Sequence, residues 1–433
     1  MTRLSRGMGN SVRRPNCLLQ EFSMLRCRLV FHCIISLVVL LGDSLPADAQ
    51  QTTVFGPISA DSLTGVLREV TVPSGNPGVG DVISVLTGLE VATAPLGSPS
   101  GGFVYSYDEG VGAPLRRSST FGPQFVERAL TTGRGTTSFG LNVFNATYDT
   151  LSGYPLDNLR VATFRGPQPV ISSSTLSMRL RSMTAALFGS VGVTDSFDVA
   201  VAVPIVRVGV NARMVQEEPG VGTAVLLSDG FSTGLGDIAV VGKYRFWRNR
   251  DERSGLAALV TLRMPTGNED DLRGIGAWRT MVGLAASAEL GRLAVHANGG
   301  YEFWSESVTL SNNQPGPFDE VWGLADQVQY GGAVEVEVHP TITFTVEAMG
   351  RLVRDSGRLD TVSFDTELSP ELGVDGVDLL QVTSGHLRKF ILVPGIKWNL
   401  GGNRLLSFGL RMAQADTGLR DTLTPLVGFN WTL

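Results

Sequence analysis

Apolar and polar residues alternate with a period of two through most of the chain, in segments of about ten residues. From Thr341 to Leu352, Ile342, Phe344, Val346, Ala348, Gly350 and Leu352 fall on one face, and Thr343, Thr345, Glu347 and Arg351 on the other. Just upstream, Val334, Val336 and Val338 alternate with Glu335, Glu337 and His339. Leu293, Val295, Ala297, Tyr301 and Phe303 oppose His296, Asn298 and Glu302, while Ile238, Val240, Tyr244 and Phe246 oppose Asp237, Lys243 and Arg245. Such segments read as β-strands with one apolar and one charged face. They are placed near 102–107, 124–131, 136–147, 175–193, 197–215, 236–247, 256–264, 277–289, 293–304, 326–338, 341–353, 386–399, 403–415 and 421–433.

Alternation alone fits a soluble sandwich as well as a membrane barrel. Connection lengths separate them. The joints 132–135, 194–196, 248–255, 290–292, 339–340 and 400–402 are short, and 148–174, 216–235, 265–276, 305–325 and 354–385 are long, with 416–420 the exception. Short periplasmic turns alternating with long extracellular loops are the habit of a transmembrane antiparallel β-barrel. The fold class expected is therefore all-β, a barrel of 14 strands, or 12 if 102–107 and 124–131 are not staves. Tyr244, Phe246, Trp247, Phe197 and Trp398 lie toward the short turns; Trp278, Tyr301, Phe303 and Trp304 lie toward the long loops, as interfacial girdles would. Val427, Phe429, Trp431 and Leu433 alternate to the final residue, although Leu433 stands where such barrels often end in Phe.

The start of the chain changes the compartment. Arg26 and Arg28 precede an apolar run from Leu29 to Leu41, followed by Pro46 and Ala47-Asp48-Ala49. This is a secretory signal pattern, too short to span a bilayer as a helix. It predicts residues 1–49 as a signal peptide cut between Ala49 and Gln50, with Met24 an alternative start. Cys17, Cys27 and Cys33, the only cysteines, fall in that segment, so the mature chain has no thiol. From Gln50 onward 29 basic residues face 38 acidic ones, and no run of 18 apolar residues occurs. Those counts argue against nucleic acid as a partner and against a helical membrane protein. The expected location is the bacterial outer membrane, with lipid, lipopolysaccharide and the barrel-assembly machinery as partners.

Metal-ligand patterns are missing from the mature sequence. His296, His339 and His386 have no second ligand at metal spacing, and H-E-x-x-H does not occur. No enzyme, metal or cofactor is predicted. Asn268, Glu269, Asp270 and Asp271 read as a solvated loop tip, with a hard-cation site as the alternative. The charged face is the functional lead. Arg near the bilayer midplane on the lipid side costs about 2–4 kcal/mol. Arg179, Arg181, Lys243, Arg245, Arg263 and Arg279 are therefore placed in the lumen, as are Arg351, Lys397 and Arg411. Glu289, Glu302, Glu335, Glu337 and Glu347 share those faces. These groups either close into a paired network that fills the barrel or line opposite walls of a restricted water-filled pore.

Residues 50–82 precede the barrel, assigned to 83–433. Asp61 to Val72 predicts a short amphipathic helix, capped by Asp61 or Ser62, with Leu63, Val66, Leu67 and Val70 on one face. It is either a plug in the lumen or a periplasmic leader.

Gly234–Trp247 (GLGDIAVVGKYRFW), Leu262–Asp271 (LRMPTGNEDD) and Leu293–Trp304 (LAVHANGGYEFW) resemble an outer-membrane transporter family named for the meta-pathway of phenol degradation. That family is itself distantly similar to long-chain fatty-acid transport barrels. Ser98–Asp108 and Phe121–Gly135 are similar to uncharacterised members of the group. The resemblance implies a channel or carrier for small molecules, often hydrophobic or aromatic. The expected function is passive or gated passage of such a solute; the alternative is a structural or adhesive barrel whose long loops bind a partner.

Overall fold

A computed structural model describes residues 61–433 except 75–76, 99–101, 109–112, 117, 162–163, 166–167, 170–172, 219–221, 306–307, 312–320, 325, 365–376 and 415–416. The predicted signal peptide, its Ala49–Gln50 boundary and residues 50–60 lie outside the described residues.

The alternating segments become twelve strands. They are β1 (Thr137–Tyr148), β2 (Ser173–Thr194), β3 (Phe197–Glu218), β4 in two pieces (Gly222–Leu235 and Ile238–Arg248), β5 (Ser254–Met264) and β6 (Arg279–Leu290). Then come β7 (Leu293–Trp304), β8 (Gln327–His339), β9 (Ile342–Phe364), β10 (Val377–Gly401), β11 (Arg404–Ala413) and β12 (Thr424–Thr432). Each pairs antiparallel with the next, and β12 returns to β1 with Phe429 opposite Leu141, which leaves the ring without an edge. Residues 102–107 and 124–131, which would have made fourteen, are not staves. Among the described residues Tyr105–Asp108 pairs only with Ala113–Arg116, and 124–131 runs as irregular chain. The first stave begins at Thr137, so the chain before it is longer than the 50–82 segment expected.

In a half-buried strand the apolar face goes where water is absent. Outward residues such as Phe139, Leu187, Tyr244, Val282, Phe344 and Trp398 are exposed large hydrophobics, forming the lipid-facing belt. Inward residues at the same height are polar and buried, among them Lys243, Glu302, Glu335 and Glu347.

Toward the long-loop end this polarity inverts. On β3 the inward series runs from Asp198 and Ala200 to Val206, Val208, Val210 and Met214, while the outward series runs from Val201 and Ile205 to Arg207 and Arg213. On β2 it runs from Ser190 and Ser182 to Leu180, Met178 and Leu176 inward, and from Val191 and Leu187 to Arg181 and Arg179 outward. The reason is length. These strands have 22 residues each, about twice what a tilted strand needs to cross a bilayer. Their upper halves stand beyond the lipid and enclose a core of ordinary polarity.

Two helices fill that core. Helix α1 (Leu63–Thr71) is capped by Ser62, whose Oγ accepts from the Gly65 N–H at 3.1 Å, and it buries the predicted face of Leu63, Val66, Leu67 and Val70. Helix α2 (Pro77–Ala92) has no amphipathic stripe by which sequence would reveal it. Val79, Val82, Ile83, Leu86 and Leu89 are all buried, because α1 and the strand extensions surround it. Gly80 is required at their crossing, since a Cβ there would stand 2.5 Å from the Leu67 carbonyl oxygen.

Candidate functional site

Below α2 the chain enters the barrel and crosses it more than once before β1. The Asn142 amide donates to the Leu96 carbonyl (2.9 Å), and the Tyr105 hydroxyl reaches Asn403 in a short turn (2.8 Å). Ser119 Oγ donates to the Gly291 carbonyl (3.0 Å) of another short turn. The chain then rises to Gln124–Val126, halfway up the wall, and descends to Gly133 and Gly135, whose positive φ values (98° and 76°) turn it into β1.

Each stage of this path is held by an inward side chain of the wall. Glu347 accepts the backbone N–H groups of Gln124 (2.5 Å), Phe125 (2.8 Å) and Val126 (2.8 Å). Lys397 Nζ donates to the Pro123 carbonyl (2.9 Å) and Lys243 Nζ to the Leu130 carbonyl (2.8 Å). Asp198 accepts from both the N–H and the hydroxyl of Thr132 at 2.8 Å. An irregular segment has no strand partner for its backbone groups, so buried side chains supply the missing donors and acceptors.

Two ionic clusters lie higher. Glu90, at the end of α2, pairs with Lys389 and with Arg351 (2.6 Å); Arg411 stands 3.9 Å from it and 2.7 Å from Asp421. Asp421 also faces Lys389 at 3.7 Å and accepts from the Thr424 hydroxyl. Burial would raise the Asp421 carboxyl, but Arg411 and Lys389 outweigh it and hold its pKa below the usual carboxylate range. A depressed folded pKa stabilises above the unfolded value of about 4, and that stability is lost as pH falls through the folded value. Asp421→Asn should therefore lower thermal stability at neutral pH and flatten its decline on acidification, as read by heat-modifiable gel migration across a pH series. In the second cluster Arg279 pairs with Asp237 (2.9 Å) and Glu302 (3.7 Å), donates to the Ala92 carbonyl (3.0 Å), and has its guanidinium over the Trp304 ring. Trp304 thus packs inward and is not part of the outer girdle.

A third constellation joins three strands. Ser287 Oγ is 2.8 Å from His296 Nδ1, and His296 Nε2 is 2.9 Å from Glu335. The Ala129 N–H donates to Ser287 Oγ (2.8 Å), so the serine oxygen is already committed to the luminal segment. All three side chains are buried. The arrangement is a relay from luminal backbone to a buried carboxylate. His296→Leu removes the nearest partner of Glu335, leaving Lys397 and Arg128 as the charges that face it, and the expected loss is about 1–3 kcal/mol, measured as denaturation midpoint in detergent.

Of the residues predicted to line the lumen, Lys243, Arg245, Arg279, Glu289, Glu302, Glu335, Glu347, Lys397 and Arg411 are buried on the inward face. Arg263, Glu337 and Arg351 share that face and are half-buried. Arg179 and Arg181 are a correction. They lie outward on β2, and they escape the cost of lipid by standing above it. Glu90, Asp198, Ser287, Lys389 and Asp421 escaped the sequence reading, and Asp237 was placed on the charged face beside Lys243 and Arg245 without being counted among the luminal residues. Lys389 was within reach of it, because it shares the parity of Lys397 on β10. Asn268–Asp271 form a turn, with Asn268 Oδ1 accepting from the Asp271 N–H and Arg273 pairing Asp271 at 3.0 Å, and the Asp270 carbonyl accepts from the Thr64 N–H of α1 at 2.9 Å.

Between the luminal segment and the wall lies a cavity of about 180 Å³. Ala94, Phe125, Leu259, Met281, Met349 and Ile391 make much of its lining apolar, and Glu90, Glu127, Arg263, Arg351 and Lys389 add charged groups. An apolar cavity of about 150 Å³ holds a benzene ring, so this space takes one small ring.

An outer membrane channel from Pseudomonas putida F1 has 14% identity over 70% of this chain and 98% of that chain, with a TM-score of 0.41. The toluene transporter TbuX of Ralstonia pickettii has 12% identity over 69% of this chain and 90% of that chain, with a TM-score of 0.33. No curated protein sequence matches. Residues 162–318 match the profile of the family described as the MetA-pathway of phenol degradation. This is the family that the motifs at Gly234–Trp247, Leu262–Asp271 and Leu293–Trp304 resemble, and the match spans about a third of the chain.

Proposed function

We propose that this protein is an outer-membrane channel closed by its own N-terminal segment, and that small molecules pass when that segment shifts. One observation carries the reading: the inward charged side chains of the wall are committed to the backbone of residues 123–132 as well as to one another. Polar bonds of this type hold a segment in place yet exchange for water without loss of the barrel's own ladder. The phenol-degradation description of the family, together with a ring-sized, largely apolar cavity, favours small aromatic cargo.

Single-channel recording of the refolded protein in planar bilayers tests this. Brief, small steps in the unaltered protein, growing longer and larger when the luminal contacts are cut, are the expected result. Steady wide conductance from the unaltered protein would show that residues 61–136 do not close the lumen. Silence from every folded variant would make the barrel a filled structural one.

A further inference from the structure

We infer that the cavity between the luminal segment and the wall selects a single aromatic ring bearing an acceptor oxygen, hydroxyl or carboxylate, and that Arg263 reads that oxygen. The inference rests on the reading of the barrel as a channel for small aromatic cargo, and adds which rings it takes. Its basis is a division of the lining by height. On β5 Leu259 lies below Arg263, on β9 Met349 below Arg351, and on β10 Ile391 below Lys389. Both members of each pair face inward, and the charged one is nearer the long loops. Gln329 of β8 stands opposite Arg351, and Arg351 opposite Lys389, which carries the polar side round the wall. The cavity thus has an apolar lower part and a polar ceiling.

The cations of that ceiling are not equally engaged. Glu90 takes Arg351 at 2.6 Å and Lys389 as well. Arg263 makes no hydrogen bond among the described residues, and Glu302 Oε2 comes no closer than 3.9 Å to its Nε. The Glu302 oxygens are taken instead by the amides of Gln327 (2.6 Å) and Gln329 (3.0 Å). Arg279, Glu302, Asp237 and Arg351 are the charges that act on Arg263, and none of them gives it an acceptor within bonding distance. A guanidinium donates five N–H groups, and its bonds to oxygen are among the strong ones. An oxygen on the cargo meets that need while the ring rests against Leu259, Met281 and Phe125. Thr261, between Leu259 and Arg263 on the same face, adds a hydroxyl that accepts from a cargo O–H. Space agrees, because the cavity of about 180 Å³ exceeds a benzene-sized one, about 150 Å³, by roughly one small substituent.

Equilibrium dialysis of phenol, benzoate and toluene into the detergent-solubilised protein, referenced to protein-free micelles, tests the assignment. Phenol, benzoate or both should bind, and Arg263→Met should weaken whichever binds by about tenfold or more while leaving toluene unchanged. A loss confined to phenol would identify the oxygen as a hydroxyl, and one confined to benzoate as a carboxylate; either supports the site. Phenol and benzoate binding that survives in folded Arg263→Met would overturn the role of Arg263 and leave the channel for aromatic cargo standing. Binding of none of the three would remove that reading together with the inference. If Arg263→Met fails to fold, nuclear magnetic resonance of unaltered protein with isotope-labelled arginine supplies the test. Phenol or benzoate should shift a guanidinium resonance that toluene leaves in place; guanidinium resonances that respond to neither would refute the site.

Discussion

Glu347→Ala should both destabilise the folded barrel and open its lumen. The Glu347 carboxylate is fully buried and takes three consecutive backbone N–H groups, those of Gln124, Phe125 and Val126. No other carboxylate among the described residues holds the luminal segment by so many of its own amides. Alanine leaves the three donors without an acceptor in a place where solvent is scarce, each at about 1–3 kcal/mol. Some of that cost is relieved when the segment moves off the wall and water reaches the amides. The net loss expected is about 3–5 kcal/mol, read as the midpoint of heat-modifiable migration. The same relaxation frees the rise of the chain at 124–126, so channel events should become longer and larger. Glu347→Gln keeps one acceptor oxygen and should fall between the two. A destabilised variant whose conductance matched the parent's would reduce Glu347 to a structural staple with no part in closure.

Glu90→Gln should act at the other end of the same segment. Glu90 is buried between Lys389 and Arg351, with Arg411 at 3.9 Å, and among the described residues only Asp421 shares the task of neutralising these three cations. Three cations against two carboxylates leave an excess of one positive charge, and removing Glu90 raises it to two in a buried site, again about 3–5 kcal/mol. Because Glu90 belongs to α2 and its partners to β9, β10 and β11, the change removes the charge attraction that ties helix to wall. The helices should become accessible to protease added from outside, while the strands, which keep their ladders, remain protected. Pairing the change with Lys389→Met removes a cation along with the anion and should restore much of the stability. Failure of that rescue would mean that packing of α2, and not its charge, holds the mouth closed.

Both variants lie on residues whose roles differ in legibility. Glu347 was placed inward from its parity with Thr343 and Thr345; the three amides it accepts lie more than 220 positions earlier, and nothing in the alternation points to them. Glu90 sits in an apolar helix without a stripe, so neither its element nor its partners was visible. Arg179 and Arg181 show a different limit. Their parity was legible, but the energetic argument that sent them inward assumes lipid on the outer side along the whole strand. On 22-residue strands that assumption fails above about half the length.

The sequence by itself therefore determined the membrane barrel, its short turns, its aromatic belt and the inward set of charges within the bilayer; the connections read as long loops at 216–235 and 354–385 are instead largely strand, as extensions of the staves. Period two and the cost of charge in lipid are local properties, and each strand obeys them alone. Tertiary structure decided the number of staves, the inversion of polarity above the bilayer, the residence of 93–136 in the lumen and the pairing of every buried charge. An extended segment satisfies its backbone equally well in a ladder or against side chains of a wall. Which it does depends on groups brought close only when the ring shuts.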